Sequence, residues 1–493
     1  MSDELIELPE GWKWSNTSEL CASVRDGTHD TPRYFDEGVP LVTSKNLRHD
    51  QIDFSTARNI SFEDHQQISI RSGVEDGDVL FAMIGTIGNP VVVKKDREFS
   101  IKNIGLFKKN ELVINSKFLK FWFSSYYFQK ILDEQALIKG TTQKFVPLAN
   151  LRIFPVPLPP LNQQKRIVAA IEALRERSQK ARSVLSVIPE LCDKFRQSVL
   201  AAAFRGDLTA DWREQNPDVK AALEILSELQ STKRKQKNKT NTISSSFDIP
   251  FEAPETWEWI ILDIICEKIT DGEHLTPPLA EKGVPLLSAK DVRDWSLDFS
   301  NTKFVSSEVA EKSRARCNPE KNDVLVVSRG ATVGRTSRVK TEEPFCLMGS
   351  VLLFKLNQSI IEPEFIELFF KSPFGARQLT SMSGASAQQA IYIRDMRSFP
   401  TPFPPLTEQK EIVRQVKTLF QFIDKIEESH EGTEAYLDRL NQSILAKAFR
   451  GELVDQDPND EPASVLLKRI RVDREQQMQG KIKKPGKKKR TGD

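Results

Sequence analysis

Lys45, Asn46 and Arg48 lie within one short polar segment, and Gln143 and Lys144 close a Gly140-Thr141-Thr142-Gln143-Lys144 stretch. Arg and Lys carry donors that suit the guanine edge, whereas Asn and Gln offer the donor and acceptor that suit adenine. A second set of the same chemistry, Lys290, Arg293, Arg329, Gln388 and Gln389, stands later in the chain. These ten side chains are the candidate contacts to a nucleic-acid duplex. Signals for catalysis are missing. The sequence has no GxxxxGK[ST] phosphate loop, no HExxH and no GxSxG, and the pairs Gly85/Gly88 and Gly330/Gly334 lack a dinucleotide fingerprint. Methyl transfer to a base amine needs an Asn/Asp-Pro-Pro-aromatic segment, which Thr276-Pro277-Pro278-Leu279 does not supply. Cys21, Cys192, Cys266, Cys317 and Cys346 are far apart, without a Cys-x-x-Cys pair, and read as reduced thiols, mostly in cores. His29 and His274, each in an Asp-Gly-x-His turn, are expected to be hydrogen-bonded turn residues.

The elements that must position these residues come in duplicate. Residue n repeatedly matches residue n + 245. Pro9, Trp12 and Trp14 return as Pro254, Trp257 and Trp259, and DGTHDTP at Asp26 returns as DGEHLTP at Asp271. The segment Gly38 to Leu41 maps to Gly283 to Leu286, and Asp78-Val79-Leu80 to Asp323-Val324-Leu325. QSVLAAAFRGDL, residues 197 to 208, agrees at nine of twelve positions with QSILAKAFRGEL, residues 442 to 453. Ser44, Lys45, Asn46 and Arg48 correspond to Ala289, Lys290, Asp291 and Arg293, so the fold-bearing positions are shared while the polar loops diverge. Divergent loops suit two domains of one design reading different targets, or simple drift of exposed loops.

Each copy opens with about 160 residues of mixed α/β texture, with short Val/Ile/Phe-rich runs such as Val79 to Ile84 and Val324 to Val327. Pro-rich exits, FPVPLPPL and FPTPFPPL, then lead into Gln/Lys/Glu/Arg-rich helices, with Asn162 and Thr407 expected as N-caps. The first apolar stripe is Ile167, Ile171, Leu174, Ala181, Leu185, Ile188, Cys192, Phe195 and Val199, with the polar Ser178 in one slot. The second is Ile412, Val416, Leu419, Ile423, Ile426, Leu437, Leu440 and Ile444. Steps of three and four predict coiled-coil seams, and a single stripe on each helix predicts that the two pair with each other. A continuous helix from Gln163 to Ala203 would be about 60 Å long. Pro189 is expected to interrupt the first helix alone, because Glu434 fills its place in the second. Gly206 and Gly451 are expected C-caps, and the segment from Asp218 to Glu228 one further short helix.

The 493 residues have a net charge of +2, 39% apolar and 28% charged residues, the balance of a soluble multidomain protein. Twelve positive charges concentrate in two runs, Lys233, Arg234, Lys235, Lys237 and Lys239, then Lys481, Lys483, Lys484, Lys487, Lys488, Lys489 and Arg490, leaving the rest at about −10. Such runs read as solvated segments that add non-specific affinity for nucleic acid. No apolar run approaches the roughly 18 residues of a membrane span, and the N-terminus lacks signal-peptide order, so the expected location is cytoplasmic.

LPEGWKW, GVPLVTSKNL and GVPLLSAKDV, GDVL and NDVL, and the PLPPLNQQKRIV and PFPPLTEQKEIV junctions, doubled at constant offset, resemble the DNA specificity subunit of type I restriction–modification systems over about residues 5 to 460. The resemblance implies an α+β chain of two similar mixed α/β target recognition domains separated by two long antiparallel coiled-coil helices, with an internal pseudo-two-fold. The corresponding boundaries are 1–160 for the first recognition domain, 161–230 for the first helical spacer and 231–247 for a basic flexible linker. The second recognition domain is then 248–405, the second spacer 406–478 and a basic disordered tail 479–493. The family implies that each domain reads one half of a bipartite, asymmetric site in double-stranded DNA, with the helices as ruler. A rod of about 60 Å allows at most roughly 18 base pairs. It further implies methyltransferase subunits, two of them, which carry S-adenosylmethionine, and restriction subunits using ATP and Mg2+. This chain itself is expected to bind no cofactor and no membrane, and to supply address rather than chemistry. Two other readings remain at this point: a nuclease using Asp78 and Asp323 as paired acids, and a helical scaffold carrying protein-binding domains.

Overall fold

Runs of consecutive apolar residues become strands buried on both faces. In Val79–Ala82 the side chains alternate between two cores: Val79 and Phe81 join Phe107, Phe123, Phe128 and Phe154, whereas Leu80 and Ala82 join Ile101, Ile104 and Leu106. Val324–Val327 divides in the same way, Val324 and Val326 to one side and Leu325 and Val327 to the other. A strand covered on both sides needs no polar alternation, which is why each reads as a block of Val, Leu and Phe. The computed structural model describes residues 7–233, 251–383 and 390–482. It comprises two compact units, one of Met1–Leu185 with Gly432–Asp493 and one of Ser186–Glu431.

The first unit holds a four-stranded antiparallel sheet in the order Val24–Asp26, Ile104–Phe107, Val79–Ala82, Gly88–Val92. Beside it is a three-stranded sheet in which Val39–Thr43 pairs antiparallel with Arg58–Ile60 and parallel with Ser100–Lys102. The second unit repeats this topology strand for strand: Cys266–Asp271, Val351–Leu356, Val324–Val327 and Thr336–Arg338, then Lys303–Val305, Val284–Leu287 and Cys346–Leu347. The Trp-bearing N-terminal segments and the Pro-rich exits are each other's partners, Lys13–Asn16 with Pro155–Leu158 and Glu258–Ile261 with Pro400–Phe403. Proline lacks the N–H that a central strand must donate, so these segments form two-stranded ribbons.

Among the described residues five helices are twelve residues long or more: α1 (Leu161–Leu185), α2 (Ile188–Arg205), α3 (Ala222–Lys233), α4 (Leu406–Phe449) and α5 (Ala463–Ile482). The break at Ser186 and Val187, with Pro189 in the first turn of α2, is absent from α4, as the single proline predicts. Helices α1 and α4 begin two residues earlier than expected, directly after Pro160 and Pro405, so Asn162 and Thr407 lie inside the first turn rather than at its cap. What docks each helix is a buried glutamine. Gln164 accepts from the Asn115 N–H (2.8 Å) and donates to the Val113 and Pro159 carbonyls, and Gln409 does the same with Glu362, Ile360 and Pro404.

Gly206 and Gly451 take left-handed φ values of 79° and 74° at the ends of α2 and α4. A second constraint comes from packing, since a Cβ on either would stand 2.4 Å from a proline ring carbon, Pro254 for Gly206 and Pro9 for Gly451. Each Ala-Phe-Arg-Gly thereby seats the helix end on a Pro-x-x-Trp entry. In the second unit Val199, Ala203 and Phe204 of α2 and Leu226 of α3 share a core with Ile412 and Val416 of α4. In the first unit Ile167 and Ile171 of α1 share one with Ile444 and Phe449 of α4 and with Leu466, Leu467 and Ile470 of α5.

Several expectations are corrected. Phe195 and Ala181, assigned to the seam, are exposed, Phe195 at 42%. Arg196 takes that slot instead and pairs with Glu427 (2.7 Å) and Asp424 (2.7 Å), while Cys192 and Val199 are buried. Ser178, which fills one slot of the stripe, is buried as that slot requires. The segment assigned to the second spacer is not one helix: α4 ends at Phe449, and α5 starts at Ala463 and continues through Ile482 into the segment assigned to the tail. Helix α5 is bound to the first unit by the Ala463 N–H to the Gly11 carbonyl (3.1 Å), Arg471 to Glu19 and Arg474 to the Ser18 and Cys21 carbonyls. Residues 234–247 of the basic linker, 248–250 of the second domain and 483–493 of the tail lie outside the described residues.

Candidate nucleic-acid interface

In each unit the polar loops meet at one end of the sheets, around a turn whose geometry the Asp-Gly-x-His sequence dictates. Gly27 lies so close to the neighbouring strand that a Cβ would come within 2.3 Å of the Ile101 carbonyl oxygen; for Gly272 the distance to Leu347 O is 1.9 Å. Only glycine permits this approach. The preceding aspartates are thereby buried, their side chains 3% exposed for Asp26 and 10% for Asp271. Asp26 accepts from Arg71 and lies 3.0 Å from His29 Nε2, while His29 Nδ1 lies 2.9 Å from the Asn103 side chain. Asp271 accepts from Arg316 (2.6 Å) and lies 3.3 Å from His274 Nε2. Both histidines are therefore hydrogen-bonded turn residues, as their sequence context predicts.

Asn103, at φ 55°, ties the first unit's loops together. Its N–H reaches the Thr28 carbonyl (3.1 Å), and its own carbonyl accepts from Ser44 Oγ (3.2 Å) and the Met83 N–H (3.4 Å). Met83 in turn accepts from the Val146 N–H, which places the loop of Gln143 and Lys144 alongside. In the second unit Ser350 is the tie. Its Oγ accepts from the Ala289 N–H (3.1 Å) and its carbonyl from the Ser328 N–H (2.9 Å), and Ser328 accepts from the Ile391 N–H.

Of the candidate residues, Lys45 and Arg48 are exposed on the 3-10 turn Ser44–Asn46 and the strand after it, with Arg48 Nε donating to the Lys45 carbonyl (2.8 Å). Gln143 and Lys144 are exposed on the neighbouring loop. Lys290 is exposed, with Nζ donating to the Asn301 carbonyl (2.8 Å), and Arg293 is exposed beside Asp298 (3.3 Å). Arg329 is exposed just after the strand Val324–Val327, in an antiparallel bridge with Ala390. Asn46 is the exception. It is 2% exposed and its amide is consumed, accepting from Thr43 N–H and Oγ and donating to Asp53 O and Thr56 Oγ1. It closes a capping box, a role that Asp291 fills with Ser288, and it has nothing left for a base. Gln388 and Gln389 lie outside the described residues. Arg71 and Arg316 escaped the sequence reading; their identity at the 245-residue offset was the available signal.

Asp78 and Asp323 are each taken up by groups of their own unit. Asp78 is fully buried and accepts from the Glu75 and Lys109 N–H groups and from Lys108 Nζ (2.7 Å). Asp323, whose carboxyl burial pushes above the ordinary range, accepts from the Glu320 N–H and Lys355 Nζ (2.9 Å). Each closes its own turn. The cysteines are free, and burial raises the thiols of Cys21 and Cys317 to about 12, which makes them inert packing groups. Among the described residues no cluster of His, Cys, Asp and Glu could hold a metal ion, and no helix is long and apolar enough to cross a membrane.

The sequence profile of the type I restriction modification DNA specificity domain matches residues 9–183 and 254–434. The specificity subunit of the type I restriction enzyme EcoKI from Escherichia coli K12 is 26% identical over 493 residues, which cover 95% of this chain and 96% of that protein. The HsdS subunit from Thermoanaerobacter tengcongensis superposes with a TM-score of 0.51 at 23% identity, over 92% of this chain and 100% of the other. A chain from a structure concerned with assembly and conformational transition of the type I R-M system gives a TM-score of 0.59 at 22% identity, over 90% and 99%. These structural likenesses extend the agreement in fold along nearly the whole chain.

Proposed function

We propose, from the premise that the chain belongs to the type I restriction–modification DNA specificity family, that it is the non-catalytic, sequence-reading subunit of a methyltransferase and endonuclease complex. Each unit reads one half of a bipartite, asymmetric site in double-stranded DNA. The observation that carries this is the pairing of one topology with polar edges that share Lys45/Lys290 and Arg48/Arg293 and differ beyond them, with Gln143 and Lys144 exposed on one and Arg329 on the other. A common scaffold with divergent exposed donors is what two readers of different half-sites require.

The helices serve as spacer, an antiparallel coiled coil related by the pseudo-two-fold of the repeat, and as the dock for methyltransferase subunits. Apolar side chains exposed on them are the candidate docking residues: Val184 and Tyr436 in the first unit, Leu191, Phe195 and Phe422 in the second. S-adenosylmethionine belongs to the methyltransferase partners, and ATP and Mg2+ to the restriction partners, in a cytoplasmic assembly. The decisive experiment replaces residues 1–160 with the first domain of another family member and sequences the methylated host DNA. One half of the modified site is expected to change while the other stays. A site unchanged, or altered in both halves, refutes the assignment.

A further inference from the structure

The loops that differ between the units surround a feature that does not differ. Arg71 and Arg316 occupy equivalent positions near the ends of the helices Phe62–Ser72 and Ser307–Arg316, and each is bonded to the buried aspartate of the Asp-Gly-x-His turn. Even the support from behind is reproduced by different residues. Arg25 donates to the Arg71 carbonyl (2.7 Å) and Lys268 to the Arg316 carbonyl (2.6 Å). The arginine and histidine side chains stay about half exposed, 57% and 56% in the first unit, 49% and 48% in the second, while the aspartate between them is buried. The Asn103 hub places His29 beside Ser44, the start of the candidate reading loop.

We infer that each Asp–Arg–His cluster is a phosphate grip, which holds the DNA backbone in register for the reading loops and carries no sequence information itself. The inference rests on the DNA-reading role proposed above and specifies a part of it. Residues that set the difference between two half-sites have to differ between the domains, whereas a backbone contact can be the same in both, and Arg71/Arg316 with His29/His274 are the same. The buried carboxylate holds the guanidinium in one orientation before DNA arrives, reducing the ordering cost of a charge-assisted contact. Arg71 uses one of its five donors on Asp26, which leaves a fork for a phosphate oxygen.

The test uses the complex reconstituted with its methyltransferase subunits, binding duplexes with and without the recognition site over a series of salt concentrations. Arg71→Gln should weaken both duplexes by the same factor, about fivefold, and lower the slope of log K against log salt by about 0.9. Adding Arg316→Gln should lower it by as much again, while the methylated sequence stays that of the wild type. Arg71→Lys, which keeps the charge, should retain the slope. Unchanged affinity and slope in the Gln variants, or a changed methylation sequence, overturns the grip. So does a slope lost equally with Lys and Gln, which would mean that the arginine only shapes the turn. A wild-type complex without sequence preference would instead sink the reading role, and the slope measurement would still decide the phosphate contact.

Discussion

At the scale of single residues, burial separates scaffold from contact. Gln164 makes three hydrogen bonds to main-chain groups in a site with no exposure. Gln164→Ala should destabilise the first unit by about 2–3 kcal/mol, because two carbonyls and an N–H lose their partner in a dry junction; chemical denaturation measures it. Gly451→Ala should cost about 1–3 kcal/mol through left-handed strain and the clash with Pro9. Asn46→Ala belongs with these and should lower stability, whereas Lys45→Ala should leave stability unchanged and weaken DNA binding. A melting curve and a binding isotherm on each variant separate the two classes. The sequence could not make that distinction: Lys45 and Asn46 are adjacent and equally polar, and only the turn decides which side chain points inward. The matched arginines were hidden for a different reason, since a single identity carries no mark of the aspartate it meets 45 residues away.

At the scale of elements, the apolar pattern anticipated most of what forms. Repeated domains, long helices after the proline exits and the lone break near Pro189 were all legible, because proline and periodicity act locally. One slot of α2 was not: Cys192 and Val199 are buried as the stripe requires, but Arg196 takes the place of Phe195 at the contact. That substitution makes the helix pair of the second unit sensitive to acid. The hydrogen bond from Arg196 holds the Glu427 carboxyl below its usual range, outweighing desolvation. A carboxylate depressed in the folded state contributes stability above its unfolded pKa of about 4.3, and that stability is lost as pH falls through the lower folded value. Arg196→Met should therefore cost about 1 kcal/mol at pH 7 and progressively less below about pH 4. A constant difference across that range in denaturant titrations would contradict the pairing. Helix α5 was equally hard to read, because its partners sit at the opposite end of the sequence. Truncation after Asp460 uncovers the surface sealed by Leu466, Leu467 and Ile470. At roughly 1.5–3 kcal/mol per buried side chain it should destabilise the first unit by on the order of 5 kcal/mol, whereas Arg471→Ala, at an exposed ion pair, should change it by under about 1 kcal/mol.

At the scale of the whole molecule, the proposed division of labour makes reading and spacing independent. In that proposal bases are met by loops at the ends of sheets, which can diverge without touching the cores, and spacing resides in helices that carry none of the candidate reading residues. The 44 residues of α4 amount to about 66 Å of helix, and its apolar stripe recurs in steps of three and four. An insertion of seven residues keeps such a stripe in phase, whereas three or four alone would rotate it. One heptad added to α1 and one to the facing stretch of α4 lengthen the spacer by about 10 Å, the rise of roughly three base pairs. If the helices are the ruler, the methylated site in host DNA should keep both half-sequences and widen its unread gap by up to about three base pairs. Altered half-sequences would place reading residues in the spacer, and an unchanged gap in a folded, active complex would show that partner subunits set the distance instead.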